Sequence, residues 1–227
     1  MSLTRRLFLG ECASFAAVGC VAPKGARPSA AVREELRRQI AEGLIAGGVC
    51  GLVGGPLYAD GERTRHPVST PMADDCIFDL ASVCNPRAVE TFTNGRLPPG
   101  VHGDESARAY PHPMGNGSAF STAGDMLKFV GDLLARRTFP KAYYDLLLTP
   151  CWAKGGVRRS FGWDMSVAER PAGWSAATVS HGGYTGNTVA VDPGSGWGGV
   201  VLTNRTGDRL KGYAGHRRLL SLMSGVV

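Results

Sequence analysis

The densest chemistry in the chain lies in one run, SHGGYTGNTVAVDPGSGWGGVVLTNR, from Ser180 to Arg205. His181 brings an imidazole, the side chain whose charge changes closest to neutral pH. Gly182 and Gly183 follow it, and residues without side chains let a substrate backbone approach a strand closely. A His, then small residues, then two strands joined by a tight turn is a pattern that points to a hydrolase. A thiol hydrolase built on Cys84 and His181 is one reading, because a thiol is intrinsically the better nucleophile. Nothing in the spacing sets Cys84 where such a nucleophile has to sit. Metal chemistry is not indicated. Asp74, Asp75, Asp104 and Glu105 lack the spacing of a metal loop and read as solvated turns. The cysteines match no zinc pattern, no Cys-x-x-Cys occurs, and no cofactor site is visible.

The elements that must position these residues follow from periodicity. Residues 31–46 predict an amphipathic helix, with Val32, Leu36, Ile40 and Leu44 as its apolar stripe. Gly47-Gly48 is expected to end it, ahead of a short strand at 49–53. Residues 57–75 are turn-rich with room for one more strand. Thr122 can cap a helix through Met126, Val130 and Leu133, with Asp125 three positions on. Pro140 opens another helix, to Leu148. Residues 160–167, 177–182, 188–192 and 198–203 read as strands, with Pro193-Gly194-Ser195-Gly196 as the hairpin turn between the last two. Residues 209–223 close the chain as a helix with Leu219, Leu220, Leu222 and Met223 for burial. Terminal helices around an antiparallel meander predict an α+β domain.

Composition narrows the class. With 227 residues, 43% hydrophobic and 19% charged, the chain can bury one ordinary core and is not of disordered type. The formal charge of +6 comes from scattered Arg pairs without an aromatic ladder, so no nucleic-acid partner is expected. A basic surface facing an anionic cell envelope suits it better. The N-terminus supports that setting. Thr4-Arg5-Arg6 and the apolar run after it resemble a twin-arginine export signal, and Ala17-Val18-Gly19-Cys20 resembles a lipoprotein cleavage site. Residues 1–20 therefore read as an export signal with Cys20 as the lipidated residue, 21–30 as a linker and 31–227 as the folded domain. The expected location is the periplasm or cell envelope of a bacterium. Membrane contact would come only through the N-terminal lipid. Cys50, Cys76, Cys84 and Cys151 could form two bridges or stay reduced and buried.

Three segments in order resemble the serine β-lactamase and penicillin-binding protein superfamily, in its class C-related branch. They are Phe78-Asp79-Leu80-Ala81-Ser82, then residues 101–107 with 117–125, then His181-Gly182-Gly183-Tyr184-Thr185-Gly186. The resemblance implies a β-lactamase/transpeptidase-like fold and acyl transfer from a Ser through an acyl-enzyme. It implies Ser82 as nucleophile, His181 in the first position of the third motif, and the Tyr184 backbone N–H as an oxyanion donor. It implies peptidoglycan fragments, β-lactams or small esters as partners, and no cofactor.

The sequence departs from the family pattern at two places. The family's Lys of Ser-x-x-Lys is replaced by Asn85, which cannot act as a base at neutral pH, and Pro86 follows it. The Tyr-x-Asn motif is absent, because only residues 86–100 stand where the family has a helical subdomain. That subdomain is expected to be largely missing. The sequence thus predicts a serine hydrolase-like protein of weak or lost activity, with a non-catalytic envelope lipoprotein or a gene remnant as the alternative.

Overall fold

The computed structural model describes residues 29–64, 69–80, 119–205 and 209–225. Helix α1 (Ser29–Ala41) leads into strands β1 (Ile45–Leu52), β2 (Leu57–Thr64), β3 (Thr70–Pro71) and β4 (Phe78–Asp79). Beyond residue 118 come β5 (Phe120–Ser121), α2 (Ala123–Ala135), α3 (Lys141–Leu148), β6 (Trp152–Lys154) and β7 (Val157–Arg159). The chain closes with β8 (Val179–Gly183), β9 (Asn187–Asp192), β10 (Trp197–Arg205) and α4 (Arg209–Met223). The result is the expected α+β architecture.

One antiparallel sheet of six strands runs β3-β2-β1-β10-β9-β8. Strand alternation sends its side chains into two cores. Val49, Val189, Val191, Val200 and Leu202 meet α2 residues Met126, Val130 and Leu133, together with Phe78 and Leu80. Cys50, Leu52, Ala190 and Val201 meet Val32 and Leu36 of α1 and Leu219 and Leu220 of α4. Fully burying a Val or Leu is worth about 1.5–3 kcal/mol. Exposed ion pairs such as Lys128–Asp125 (2.7 Å) and Lys141–Asp145 (2.6 Å) contribute under about 1 kcal/mol each. The two cores therefore hold the helices to the sheet.

Helix α2 begins as its sequence predicts. The Thr122 hydroxyl accepts the Asp125 N–H at 3.2 Å. Helix α1 does not end as predicted. It stops at Ala41, Gly43 adopts a left-handed φ of 69°, and β1 starts at Ile45. The pair Gly47-Gly48 belongs to the strand instead of capping the helix. A Cβ on Gly47 would stand 2.7 Å from the Glu62 backbone, and one on Gly48 2.7 Å from Thr203. Leu44 is still buried, but from the connection and not from the helix. Residues 57–75 hold two strands, β2 and β3, where one was expected.

Residues 160–167 do not form the expected strand. Gly162 has φ 84°, and the Ser160 N–H donates to the Trp163 carbonyl at 3.0 Å, which bends the chain. Only Asp164 pairs, exchanging two bonds of 2.9 Å with Ser180.

Candidate active site

Strand β8 is the edge of the sheet, and His181 sits at its centre. Alternation puts His181 on the side of Val179, facing the α2 core. Its ring meets Trp163 edge-on, with centroids 6.4 Å apart. The partner is set by the Asp164–Ser180 bridge, which brings the neighbours Trp163 and His181 side by side. Burial pushes the imidazole below its ordinary pKa of 6.5 and the Arg159 cation adds to that, while the Gly182 carbonyl and Asp164 oppose them. The ring is neutral at pH 7. His181 Nδ1 lies 3.2 Å from the Gly182 carbonyl oxygen, which can only accept. Nδ1 therefore carries the proton, and Nε2 presents the lone pair.

Both backbone groups of Ser180 point away from β9, to Asp164. The two-residue period turns the backbone of Gly182 outward as well. Gly183 points inward. Its carbonyl accepts the Tyr213 hydroxyl at 2.5 Å and the Gly186 N–H at 2.9 Å. Tyr184 opens the turn Tyr184-Thr185-Gly186, with Gly186 at φ 99°, and its side chain is exposed. This is the hairpin form in which a left-handed glycine closes a short loop.

The α4 side of this edge holds a cavity of about 260 Å³. Ser180, His181, Gly182, Thr188 and Tyr213 line it, flanked by two ion pairs, Arg159–Asp164 at 3.1 Å and Arg217–Glu169 at 2.8 Å. Gly182 is explained from this side. A Cβ there would stand 3.1 Å from the Tyr213 ring.

His181, Gly182, Gly183 and Tyr184 are thus continuous along the edge strand and its turn. Ser82, Cys84, Asn85, Cys20, residues 101–107, and 117 and 118 of the second segment lie outside the described residues. The flanks of these segments meet. Phe78 pairs with Ser121 and Asp79 with Phe120, so the run that leads to Ser82 is hydrogen-bonded to the start of α2. Leu80, two positions before Ser82 in sequence, is buried in the same core as Val179 and Trp163.

Sequence reading missed Tyr213 and His216. Both lie on α4, and His216 is buried with Nδ1 2.8 Å from the Thr188 hydroxyl and Nε2 3.4 Å from that of Thr203. The signal was available. Tyr and His three apart share one helix face, between positions read only for their apolar neighbours. Asp192 was missed too. It is buried and accepts from the Ser175 and Ser195 hydroxyls and from the Ser175 and Gly194 N–H groups.

The described cysteines are free thiols, Cys50 and Cys76 buried and Cys151 exposed. Burial pushes Cys50 up to about 12, so it is chemically inert. Among the described residues, no cluster of three His, Cys, Asp or Glu could hold a metal, and no helix is long and apolar enough to cross a membrane.

Solved structures share this architecture. The chain is similar to EstCE1, a hydrolase with promiscuous acyltransferase activity, with a TM-score of 0.61 and 14% identity over 86% of this chain and 97% of that one. It is similar to simvastatin synthase (LovD) from Aspergillus terreus, with a TM-score of 0.60 and 11% identity over 88% of this chain and 100% of the other. It is also similar to a class C β-lactamase from Rhodobacter sphaeroides, with a TM-score of 0.55 and 13% identity over 85% and 99%. At these identities the likeness is one of fold. No curated protein sequence matches at a significant level. The β-lactamase family model matches residues 71–222, more than half of the chain, and with that match the chain belongs to the β-lactamase family.

Proposed function

We propose that this protein is a serine hydrolase-like member of the family that performs acyl transfer at the outer edge of β8, weakly. One observation carries the reading. A neutral His181, with its Nε2 lone pair available, stands over the same core that buries Leu80 of the run entering Ser82. In the reaction, Ser82 Oγ bonds to a substrate carbonyl carbon and its proton passes to His181 Nε2. The bond to the leaving group then breaks, and that group takes the proton. Water later hydrolyses the acyl-enzyme by the same route. The Tyr184 N–H stabilises the oxyanion, and Gly182 and Gly183 lie along the substrate.

Asn85 in place of the family's Lys makes the activity weak. Loss of one general base costs ~10²–10⁴ in rate. The substrates are peptidoglycan fragments, β-lactams or small esters. The names of the similar structures, a hydrolase with acyltransferase activity, a synthase and a β-lactamase, lend support to acyl transfer. Residues 1–20 serve export to the cell envelope, with Cys20 as the lipid-bearing residue. Asn85 and the absent Tyr-x-Asn also favour a second reading, a non-catalytic envelope lipoprotein or gene remnant of the same fold.

A fluorophosphonate or fluorescent penicillin probe separates the two. Labelling of the purified chain that Ser82→Ala abolishes supports acyl transfer. No labelling at high probe concentration, in a folded sample, leaves the second reading standing and sinks the first.

A further inference from the structure

The turn that carries Tyr184 is held from beneath by α4 and β10. Thr185 Oγ1 accepts from the Asn187 amide at 3.0 Å. The Gly186 carbonyl accepts the Thr203 N–H at 3.1 Å and also the Thr203 hydroxyl. The Gly183 carbonyl accepts the Tyr213 hydroxyl. The Tyr213 ring is in turn set edge-on against buried His216, with centroids 5.6 Å apart. The chain leaves room for that ring by having glycine at 182.

The bond to Gly183 matters because of peptide geometry. The Gly183 carbonyl and the Tyr184 N–H belong to one planar trans peptide and point in opposite directions. A group that fixes the carbonyl fixes the aim of the N–H. A hydrogen bond on the carbonyl also polarises the amide and makes its N–H a stronger donor.

We propose that Tyr213 is a positioning residue for acyl transfer, its hydroxyl aiming the Tyr184 N–H at the developing oxyanion by holding the Gly183 carbonyl. This rests on the acyl-transfer reading above. Tyr213 bonds to the Gly183 carbonyl. It acts through the turn, and its effect falls on the step in which negative charge develops on oxygen. It does not fall on binding.

The test is the kinetics of fluorophosphonate labelling of the full chain, resolved into half-saturating concentration and maximal rate. In Tyr213→Phe the ring stays and only the hydroxyl goes. The maximal rate is expected to fall about tenfold to a hundredfold, part of what removal of a whole oxyanion donor costs, at unchanged half-saturation. The urea midpoint stays close to that of the wild type. An unchanged maximal rate overturns the proposal, and so does a fall matched by an equal loss at half-saturation. If the wild type itself is not labelled, the acyl-transfer reading fails, and amide exchange then judges Tyr213. The Gly186 N–H donates to the same Gly183 carbonyl, and its exchange is expected to quicken at least about tenfold in Tyr213→Phe while Val189 and Val191 keep their protection. Equal exchange at Gly186 in both proteins overturns the role of Tyr213 in holding that carbonyl.

Discussion

Acidification should unfold this protein through His216, and the size of the effect follows from its surroundings. The ring is buried between α4 and the sheet, and its nitrogens meet the hydroxyls of Thr188 and Thr203. Burial lowers its pKa from 6.5 to about 3, and the neighbouring Arg217 cation adds to that. The unfolded chain binds a proton at His216 below about pH 6.5 and the folded one does not until about pH 3. Stability is therefore full above the higher value and is lost as pH falls towards the lower one. Across the whole window the linkage is worth about 4–5 kcal/mol. At about pH 5 the loss is already about 2 kcal/mol, because the unfolded ring is then protonated about thirtyfold over neutral. With a urea slope of about 2 kcal/mol per molar, the midpoint drops by about 1 M between about pH 7.5 and about pH 5. His216→Asn keeps a polar group near the Nδ1 position without titrating. It is expected to be less stable at neutral pH and to show that much less pH dependence. His181 has the same direction of shift but is present in both proteins, so the difference isolates His216. Parallel midpoints against pH in the two proteins would refute the linkage.

Three further outcomes are expected. His181→Gln should lower the labelling rate by ~10²–10⁴ at saturating probe, and the acid limb of the wild-type rate profile should lie below pH 6.5, because a neutral ring is needed. Asp192→Ala should cost about 2–3 kcal/mol in thermal or urea unfolding, since two hydroxyls and three N–H groups lose a charged acceptor. Burial alone would raise the Asp192 carboxyl, but those donors hold it below its ordinary 3.8. Its contribution should be complete above that value and fade as pH falls below it. Thr122→Ala should lower stability by about 1 kcal/mol through the lost Asp125 N–H bond, read as a shift in urea midpoint.

Much of the fold was legible because local chemistry and tertiary packing agree. Thr122 caps α2, Pro140 precedes α3, and α4 spans the predicted 209–223. The strand, turn and strand after His181 also fall where alternation sets them, within a residue or two. The misreadings come from residues whose role depends on distant chain. Gly47-Gly48 looks like a helix stop until Glu62 and Thr203 are seen against it. Residues 160–167 carry strand-like composition, but Gly162 turns the chain and leaves one paired residue. At the site, the third motif was readable as a unit because its residues are contiguous. Tyr213 was not, because its partner Gly183 is 30 positions away and nothing local marks the pair.

The central ladder of the sheet has a consequence for how the chain acquires its structure. Val49 pairs with Leu202 and Cys50 with Val201, so the innermost seam joins β1 to β10, elements far apart in sequence. Until β10 has left the ribosome, β1 and β2 form a ribbon with one raw edge, and β9 cannot dock beside them. The sheet must wait for β10, and closing so long a loop makes its formation slow. Nonsense products ending before Trp197 would keep two separated strand groups with exposed apolar faces, and would be substrates for proteases and chaperones. The sheet is therefore completed in one step, when β10 joins β1 on one side and β9 on the other.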